Sequence, residues 1–272
     1  MILGDATLGT ESDASSEPGG GATPDGGGIK AHDAAASPFV NLVQVDVRSI
    51  LVNNVVATTQ PEDAGAALQW ADGYFGQHDF ATQSLVDVLA PDAGLRGLPD
   101  NATFPGDGVN VPGAQLWWSD GANELNSVLL QNDQVDAGIP SVLTFSVPPV
   151  KYQQVQVYVT GTHGQNGVAS NISATLTYAG ETTSTETFLV PAWDAQLADV
   201  DAGAGEFTLA SGLAPFNQGT GALETGFSLS IYAVDLNPDS SKTLLGVTLL
   251  DTGGDPSQLA FETVVFFGAT GW

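Results

Sequence analysis

The amino-acid sequence predicts an all-β fold, an antiparallel β-sandwich of jelly-roll type preceded by a disordered N-terminal linker. Runs rich in Val, Ile, Thr, Phe and Tyr follow one another from Phe39 onward, and Gly, Pro, Asn and Asp separate them at short intervals. Several runs alternate apolar and polar residues with the period of two that strands have. No helical pattern recurs between them, so the strands are expected to form a single antiparallel sandwich.

Residues 1–37 are predicted to form a flexible linker, and residues 38–272 a single domain. The linker includes Ser15–Gly21 and Pro24–Gly28, which offer almost no apolar side chains to bury. This composition is typical of the tether that follows a secretory or lipoprotein cleavage site. The chain starts without the basic and apolar regions of a signal sequence. We therefore expect an extracellular or cell-surface protein whose numbering begins after processing.

Apolar runs place strands along the whole domain. In the run at 152–161, the alternate valines from Val155 to Val159 share one face and glutamines lie on the other, which predicts a strand buried on one side. The run at 171–178 alternates in the same way, with Ser and Thr on its polar face. A short helix is predicted near Ala64–Ala71. The predicted strands span residues 39–48, 50–58, 84–89, 114–118, 126–131, 141–147, 152–161, 171–178, 183–190, 206–210, 226–235, 242–250 and 259–268.

The charge of the chain excludes two classes of partner. Five basic residues stand against 31 acidic ones, which gives a formal net charge of −26. A nucleic-acid binder needs a basic patch that displaces counterions from phosphates, and an anionic membrane surface repels such a chain. No run of apolar residues is long enough for a transmembrane helix. Self-repulsion is expected to weaken the fold at low salt.

Two neighbouring tryptophans, Trp117 and Trp118, are candidates for a carbohydrate-binding platform. Sugars stack their C–H faces on exposed indole rings, and in a strand one of two adjacent rings faces outward. Asp120 and Asn123 follow directly and are suited to hydrogen-bond sugar hydroxyls. His163 and Gln165, in a glycine-rich loop after a strand, are further candidate contacts. In the alternative interpretation both rings pack in the core or under a loop.

Acidic turns are candidate calcium sites. Asp133 and Asp136 lie in one such turn, and Asp199 and Asp201 in another, where their carboxylates are the hard oxygen ligands that calcium prefers. Neither turn has the ligand spacing of an EF-hand. The alternative is that each carboxylate is solvated and serves the turn alone.

Catalytic signatures are few, and we predict a protein that is not an enzyme. The sequence contains no G-x-S-x-G elbow, no H-E-x-x-H motif and no cysteine nucleophile. Asp120 with Glu124 is one of many acidic pairs that glycoside hydrolysis would accept. A glycoside hydrolase or polysaccharide lyase therefore stays open as an alternative.

Two stretches resemble the galactose-binding-like jelly-roll modules of secreted bacterial proteins. In Tyr152–Asp194 a long strand leads into the loop Gly161–Gly164, and a later strand closes on Val190-Pro191-Ala192-Trp193-Asp194. Near the end of the chain, Lys242 begins a strand that is followed by the apolar run at 264–269. The resemblance implies a β-sandwich that often holds a structural calcium and commonly binds glycans.

These observations predict a secreted or surface-tethered, non-catalytic carbohydrate-binding β-sandwich whose partner is a glycan or another surface polymer. A second hypothesis is a structural subunit of an extracellular filament or surface layer. Such a subunit would self-associate by β-strand addition, and the alternating run from Phe39 to Val47 is suited to pair with a neighbouring chain. The preferred interpretation of this run is an ordinary first strand of its own sandwich.

Overall fold

The computed structural model describes residue 39 and residues 41–58, 78–118, 125–132, 139–162, 168–195, 205–253 and 263–272. One compact unit of the chain spans Ser37–Trp272. The predicted linker at 1–37 and the predicted helix near 64–71 lie outside the described residues, so both stay predictions.

The described chain is mostly β, as the sequence predicts. It also contains a 3₁₀ turn at Arg48–Ile50 and one α-helix, α1, at Gln83–Leu89. The strands are β1 Val43–Gln44, β2 Val56–Ala57, β3 His78–Ala81, β4 Thr103–Phe104, β5 Ala114–Gln115, β6 Val128–Gln131, β7 Val142–Val150, β8 Val155–Gly161, β9 Val168–Tyr178, β10 Thr182–Pro191, β11 Glu206–Leu213, β12 Pro215–Asn217, β13 Ala222–Leu223, β14 Leu229–Leu236, β15 Leu244–Asp251 and β16 Thr263–Gly271.

Two antiparallel sheets form a sandwich. The six-stranded sheet has the order β1-β16-β8-β14-β11, with β6 also paired to β16, and the four-stranded sheet has the order β10-β9-β15-β7. Alternate residues of both sheets meet in one apolar core, which includes Phe145, Leu176, Val157 and Phe266. Burial of these side chains stabilises the sandwich, because each apolar side chain removed from water contributes about 1.5–3 kcal/mol.

Eight of these strands pair as a nested hairpin. The innermost pair is β9 with β10, followed outward by β8 with β14, β7 with β15 and β6 with β16. Successive pairs alternate between the two sheets. This nesting pairs strands that are far apart in sequence, such as β7 with β15 and β6 with β16, and leaves β9 with β10 as the only nested pair of sequence neighbours.

The six-stranded sheet is buried on both faces. Its second face supports another apolar cluster, which includes Phe80, Leu98, Ile231 and Phe267. That cluster belongs to a third layer built around α1 and the short strands β2 to β5, β12 and β13. Because of this layer, the prediction that 152–161 is buried on one side only is wrong. Gln156 on the supposed exposed face has 0% relative exposure.

Four predicted strands differ markedly from the structure. Residues 84–89 form part of α1 and not a strand. The Gln83 Nε2 donates to Asp87 Oδ1 at 2.8 Å one turn later, and Asp100 Oδ1 accepts from the Ser84 N–H at 2.9 Å at the start of the helix. The predicted strands at 39–48 and 50–58 shrink to β1 and β2, and the one at 114–118 shrinks to β5.

Candidate functional site

The two neighbouring tryptophans follow β5 outside any strand. Trp118 is buried, with 6% relative exposure, and its Nε1 donates to the Pro99 carbonyl at 2.8 Å. Its ring meets Phe104 edge-on, with ring centroids 6.0 Å apart. Trp118 thus belongs to the core, as the alternative interpretation of the two tryptophans predicts for this ring. A buried ring of this kind offers no face on which a sugar can stack.

Trp117 is half-buried, and one face of its ring is covered. The guanidinium carbon of Arg48 lies 4.6 Å from the ring centroid, in cation–π contact. Arg48 also pairs with Asp46, and this ion pair lowers the pKa of Asp46 to about 2, mainly through the side-chain hydrogen bond. Trp117 therefore packs against the core of the sandwich on one side and contacts the exposed Arg48–Asp46 pair on the other.

The other predicted site residues lie outside the described residues. The strands that precede four of them in the sequence are described: β6 precedes Asp133 and Asp136, and β8 precedes His163 and Gln165. Gln131 at the end of β6 pairs with Thr263, and Gly161 at the end of β8 pairs with Val264. Both strands thus end at the same end of the six-stranded sheet. The residues concerned are Asp120, Asn123, His163 and Gln165 among the ligand contacts, and Asp133, Asp136, Asp199 and Asp201 among the calcium ligands.

Metal binding stays a prediction. Among the residues that the structure describes, no three His, Asp or Glu side chains come close enough together to hold an ion. The acidic turns predicted to bind calcium lie outside that part of the chain.

His78 and Glu224 form a polar contact that the sequence did not indicate. His78 Nε2 lies 3.0 Å from Glu224 Oε1, and Asn217 Nδ2 donates to the same oxygen at 2.6 Å. The hydrogen bond from Asn217, and then the one to His78, lowers the pKa of Glu224. The imidazole meets the rings of Phe227 and Trp193 edge-on, with centroids 5.3 and 6.1 Å away. These contacts join β3 to the β12–β13 hairpin.

Four carboxyl groups, of which those of Asp79 and Asp251 are buried and those of Glu206 and Asp235 half-buried, have no basic partner in the described structure. Burial raises the pKa of Glu206 to about 7 and that of Asp235 to about 6. It also raises the pKa of Asp251, and it raises that of Asp79 well above its usual value. These carboxyl groups accept hydrogen bonds from amide and hydroxyl groups and not from cations. For example, Gln156 Nε2 donates to Asp235 Oδ1 at 2.8 Å. The described ion pairs involve other acids.

The outer face of the four-stranded sheet carries hydroxyl groups and no charge. Residues that alternate with the core positions of β7, β9, β10 and β15 point away from the sandwich. They are exposed or half-buried, and we call them the threonine face. Its members are Val142, Thr144, Ser146, Asn171, Ser173, Thr175, Thr177, Thr183, Thr185, Thr187, Leu189, Gly246, Thr248 and Leu250.

One row of the threonine face consists of threonine on all four strands. Thr185 pairs with Thr175, Thr175 with Thr248, and Thr248 with Thr144. The Oγ1 atoms of Thr144 and Thr248 are 2.9 Å apart, and those of Thr175 and Thr185 are 3.3 Å apart. We call these four residues the central row. Hydrogen bonds within it hold the hydroxyl groups in fixed positions on the surface.

The sequence contains part of the signal for this face. The alternation in 171–178 and 183–190 already places Ser and Thr on one side of each strand. The alignment across four strands depends on β15 pairing between β7 and β9, which joins segments about a hundred residues apart in the chain.

The chain was compared with protein-family models and with curated proteins. No family model matches it, and no curated protein is similar to it in sequence. The resemblance to galactose-binding-like modules therefore stays a prediction from pattern. Within the described residues, no helix has the length and apolar character needed to cross a membrane.

Proposed function

We propose that the chain is a secreted or surface-tethered, non-catalytic carbohydrate-binding β-sandwich of jelly-roll type. The observation that carries the proposal is the threonine face, an exposed sheet surface with hydroxyl groups and no charged side chain on a chain with 31 acidic residues.

Threonine side chains are suited to bind sugars. Each hydroxyl has one donor and two acceptor positions, which matches the mixed donors and acceptors of a sugar. Each also carries a methyl group that contacts the C–H groups of a pyranose ring. A single hydrogen bond contributes only about 0.5–1.5 kcal/mol net, so binding at such a surface depends on many contacts at once.

The nested strand order supports the jelly-roll part of the proposal. Two interlocked Greek keys of eight strands give a jelly roll, and this architecture occurs in lectin domains. The argument from architecture to carbohydrate binding is one of analogy, and the chemistry of the threonine face is independent of it.

Binding without catalysis follows from the same face. Glycoside hydrolysis uses two carboxyl groups about 5–9.5 Å apart on either side of the scissile bond. The threonine face contains neither Asp nor Glu, so a glycan bound there meets no acid and no base.

The structural-subunit hypothesis gains no specific support. Strand addition would use the segment around Val43, but Val43–Gln44 pairs with Thr270 and Gly271 of the same chain. The segment thus serves as a strand of its own sandwich. Export to the cell surface and a structural calcium remain parts of the proposal that rest on the sequence.

A glycan array probed with the full-length chain tests the proposal. We expect binding to a subset of glycans, and we expect the binding to persist in Trp117→Ala, because the ring of Trp117 is covered by Arg48. An array without binding at any glycan, with folding confirmed by circular dichroism, would overturn the proposed function.

A further inference from the structure

We infer that the ligand of the threonine face is an uncharged, extended polysaccharide that crosses the strands along the central row. The inference rests on the proposed function and adds to it the class of glycan, its direction and the residues that contact it.

The negative net charge of the chain favours an uncharged ligand. The chain has a net charge of −26, and fields of exposed charges extend about 10 Å at 0.1 M salt. An acidic polysaccharide would be repelled before it reached the face, and the face has no basic group that would hold it. A second copy of this chain would meet the same repulsion over its whole surface. A neutral polymer approaches without this cost.

The arrangement of threonines on the face indicates the direction in which a bound polysaccharide runs. Neighbouring strands lie about 4.8 Å apart, so the four hydroxyl-bearing positions of the central row extend over roughly 14 Å. Along β15 the hydroxyl pattern is interrupted by Gly246 and Leu250, whereas along the edge strand β10 it continues through Thr183, Thr185 and Thr187. Among the described rows across the sheet, only the central row has the same side chain on all four strands, and a polymer of repeating sugars can use this regular interval.

The central row retains free hydrogen-bonding capacity. Thr144 with Thr248, and Thr175 with Thr185, each form one hydrogen bond. Each pair uses one of its two hydroxyl protons, which leaves one donor and several acceptor positions for a ligand. Because the partners already fix the rotamers, little side-chain entropy remains to be lost on binding.

A glycine lies beside the row. Gly246 occupies the face between Thr177 and Ser146 and has no side chain. A Cβ at this position would lie 3.1 Å from the carbonyl oxygen of Phe145, so the close approach of the neighbouring strand favours glycine here. The absence of a side chain at Gly246 leaves the hydroxyl groups of the central row without a taller neighbour at this position.

The test replaces two hydroxyl groups by methyl groups. In the variant Thr144→Val/Thr248→Val the shape is kept, and valine favours strands at least as well as threonine, so the fold is expected to persist. Thr208→Val on β11, an exposed threonine of the other sheet, is the matched control. Binding is measured by affinity electrophoresis and calorimetry with mixed-linkage β-glucan, xyloglucan and galactomannan as neutral probes and polygalacturonate as an acidic one.

We expect a neutral polysaccharide to bind, the double variant to lose roughly tenfold or more in affinity, and Thr208→Val to bind as the wild type does. Short oligosaccharides of the same polymer should bind more weakly than the long chain. If polygalacturonate binds best, if the double variant binds unchanged, or if a disaccharide binds as well as the polymer, the inference is wrong while the proposed function stands. If neither the array nor any polysaccharide shows binding, both are wrong.

Discussion

His78 Nε2 and Glu224 Oε1 lie 3.0 Å apart, and through this contact the β12–β13 hairpin is attached to β3. Asn217 completes the attachment, because its side chain donates to the same carboxylate. The sequence does not indicate the contact between His78 and Glu224, because most of the domain separates the two residues along the chain. The contact makes the third layer of the fold sensitive to the charge of one exposed carboxylate.

Replacing Glu224 by Gln is expected to loosen this attachment at neutral pH. The lowered pKa of Glu224 means that its stabilising effect is present above its usual value of 4.5 and is lost as the pH falls through the lower value. Hydrogen exchange of the Phe216 and Asn217 amides should therefore be faster in Glu224→Gln than in the wild type at pH 7, and equal in both at the lowest pH. The exposed Glu181→Gln serves as control, and equal exchange at pH 7 would contradict the prediction.

The melting temperature is expected to rise when the pH is lowered from 8 to 5. Glu206 and Asp235 have raised pKa values of about 7 and about 6 in the folded state. Their favourable contribution is complete below the unfolded values near 4 and is lost as the pH rises through about 6 to 7. Acids with lowered pKa values, such as Asp46 and Glu224, change the stability only at pH values below this range.

Calorimetry from pH 5 to pH 8 measures this dependence, and Glu206→Gln should reduce the slope between pH 6 and pH 8. A melting temperature that falls steadily from pH 8 to pH 5 would show that the burial of these carboxyl groups does not govern the pH dependence of stability.

Trp118→Ala is expected to destabilise the fold much more than Trp117→Ala. Removing a buried tryptophan costs about 3–5 kcal/mol, and the hydrogen bond of Trp118 to the Pro99 carbonyl is lost with it. Trp117 is half-buried and contacts Arg48 at the surface, so its loss should cost less. Urea unfolding of the two variants gives the comparison. Similar midpoints for both would mean that the two indole rings have similar environments in solution.

Salt is expected to stabilise the protein, because the net charge of −26 produces self-repulsion that ions screen. The melting temperature should rise between 20 mM and 1 M sodium chloride. Calcium at matched ionic strength, compared with a chelator, separates screening from specific binding. A further rise with calcium, reversed by the chelator, is the result that the predicted acidic turns require.

Most strands were predictable from the sequence because their alternation is local. The runs at 141–147 and 171–178 alternate clearly, and both appear as β7 and β9. Residues 84–89 are apolar at positions 85, 86, 88 and 89, which is the spacing of a helix and not the alternation of a strand. They form α1, with Leu85 and Val86 buried side by side against the third layer. A helix presents adjacent residues to one partner in this way, and a strand does not.

Burial by the third layer was not predictable, because it depends on contacts between distant segments. Gln156 is an example. Its position within an alternating strand indicates exposure, but its amide donates to Asp235 and to the Asn110 carbonyl beneath that layer. The prediction of an exposed tryptophan platform missed the burial of Trp118 for a related reason. The sequence places Trp118 next to Trp117 but does not show which residues cover the two rings.

The nested pairing of the eight strands also governs how this chain acquires its structure. Among the nested pairs only β9 and β10 are joined by a short turn, whereas the outermost pair joins residues 128–131 to residues 263–266. Loops of that length close slowly, and folds dominated by such distant pairs fold in milliseconds to seconds. The six-stranded sheet therefore cannot be completed until β16, which lies between β8 and the two strands β1 and β6, has been synthesised.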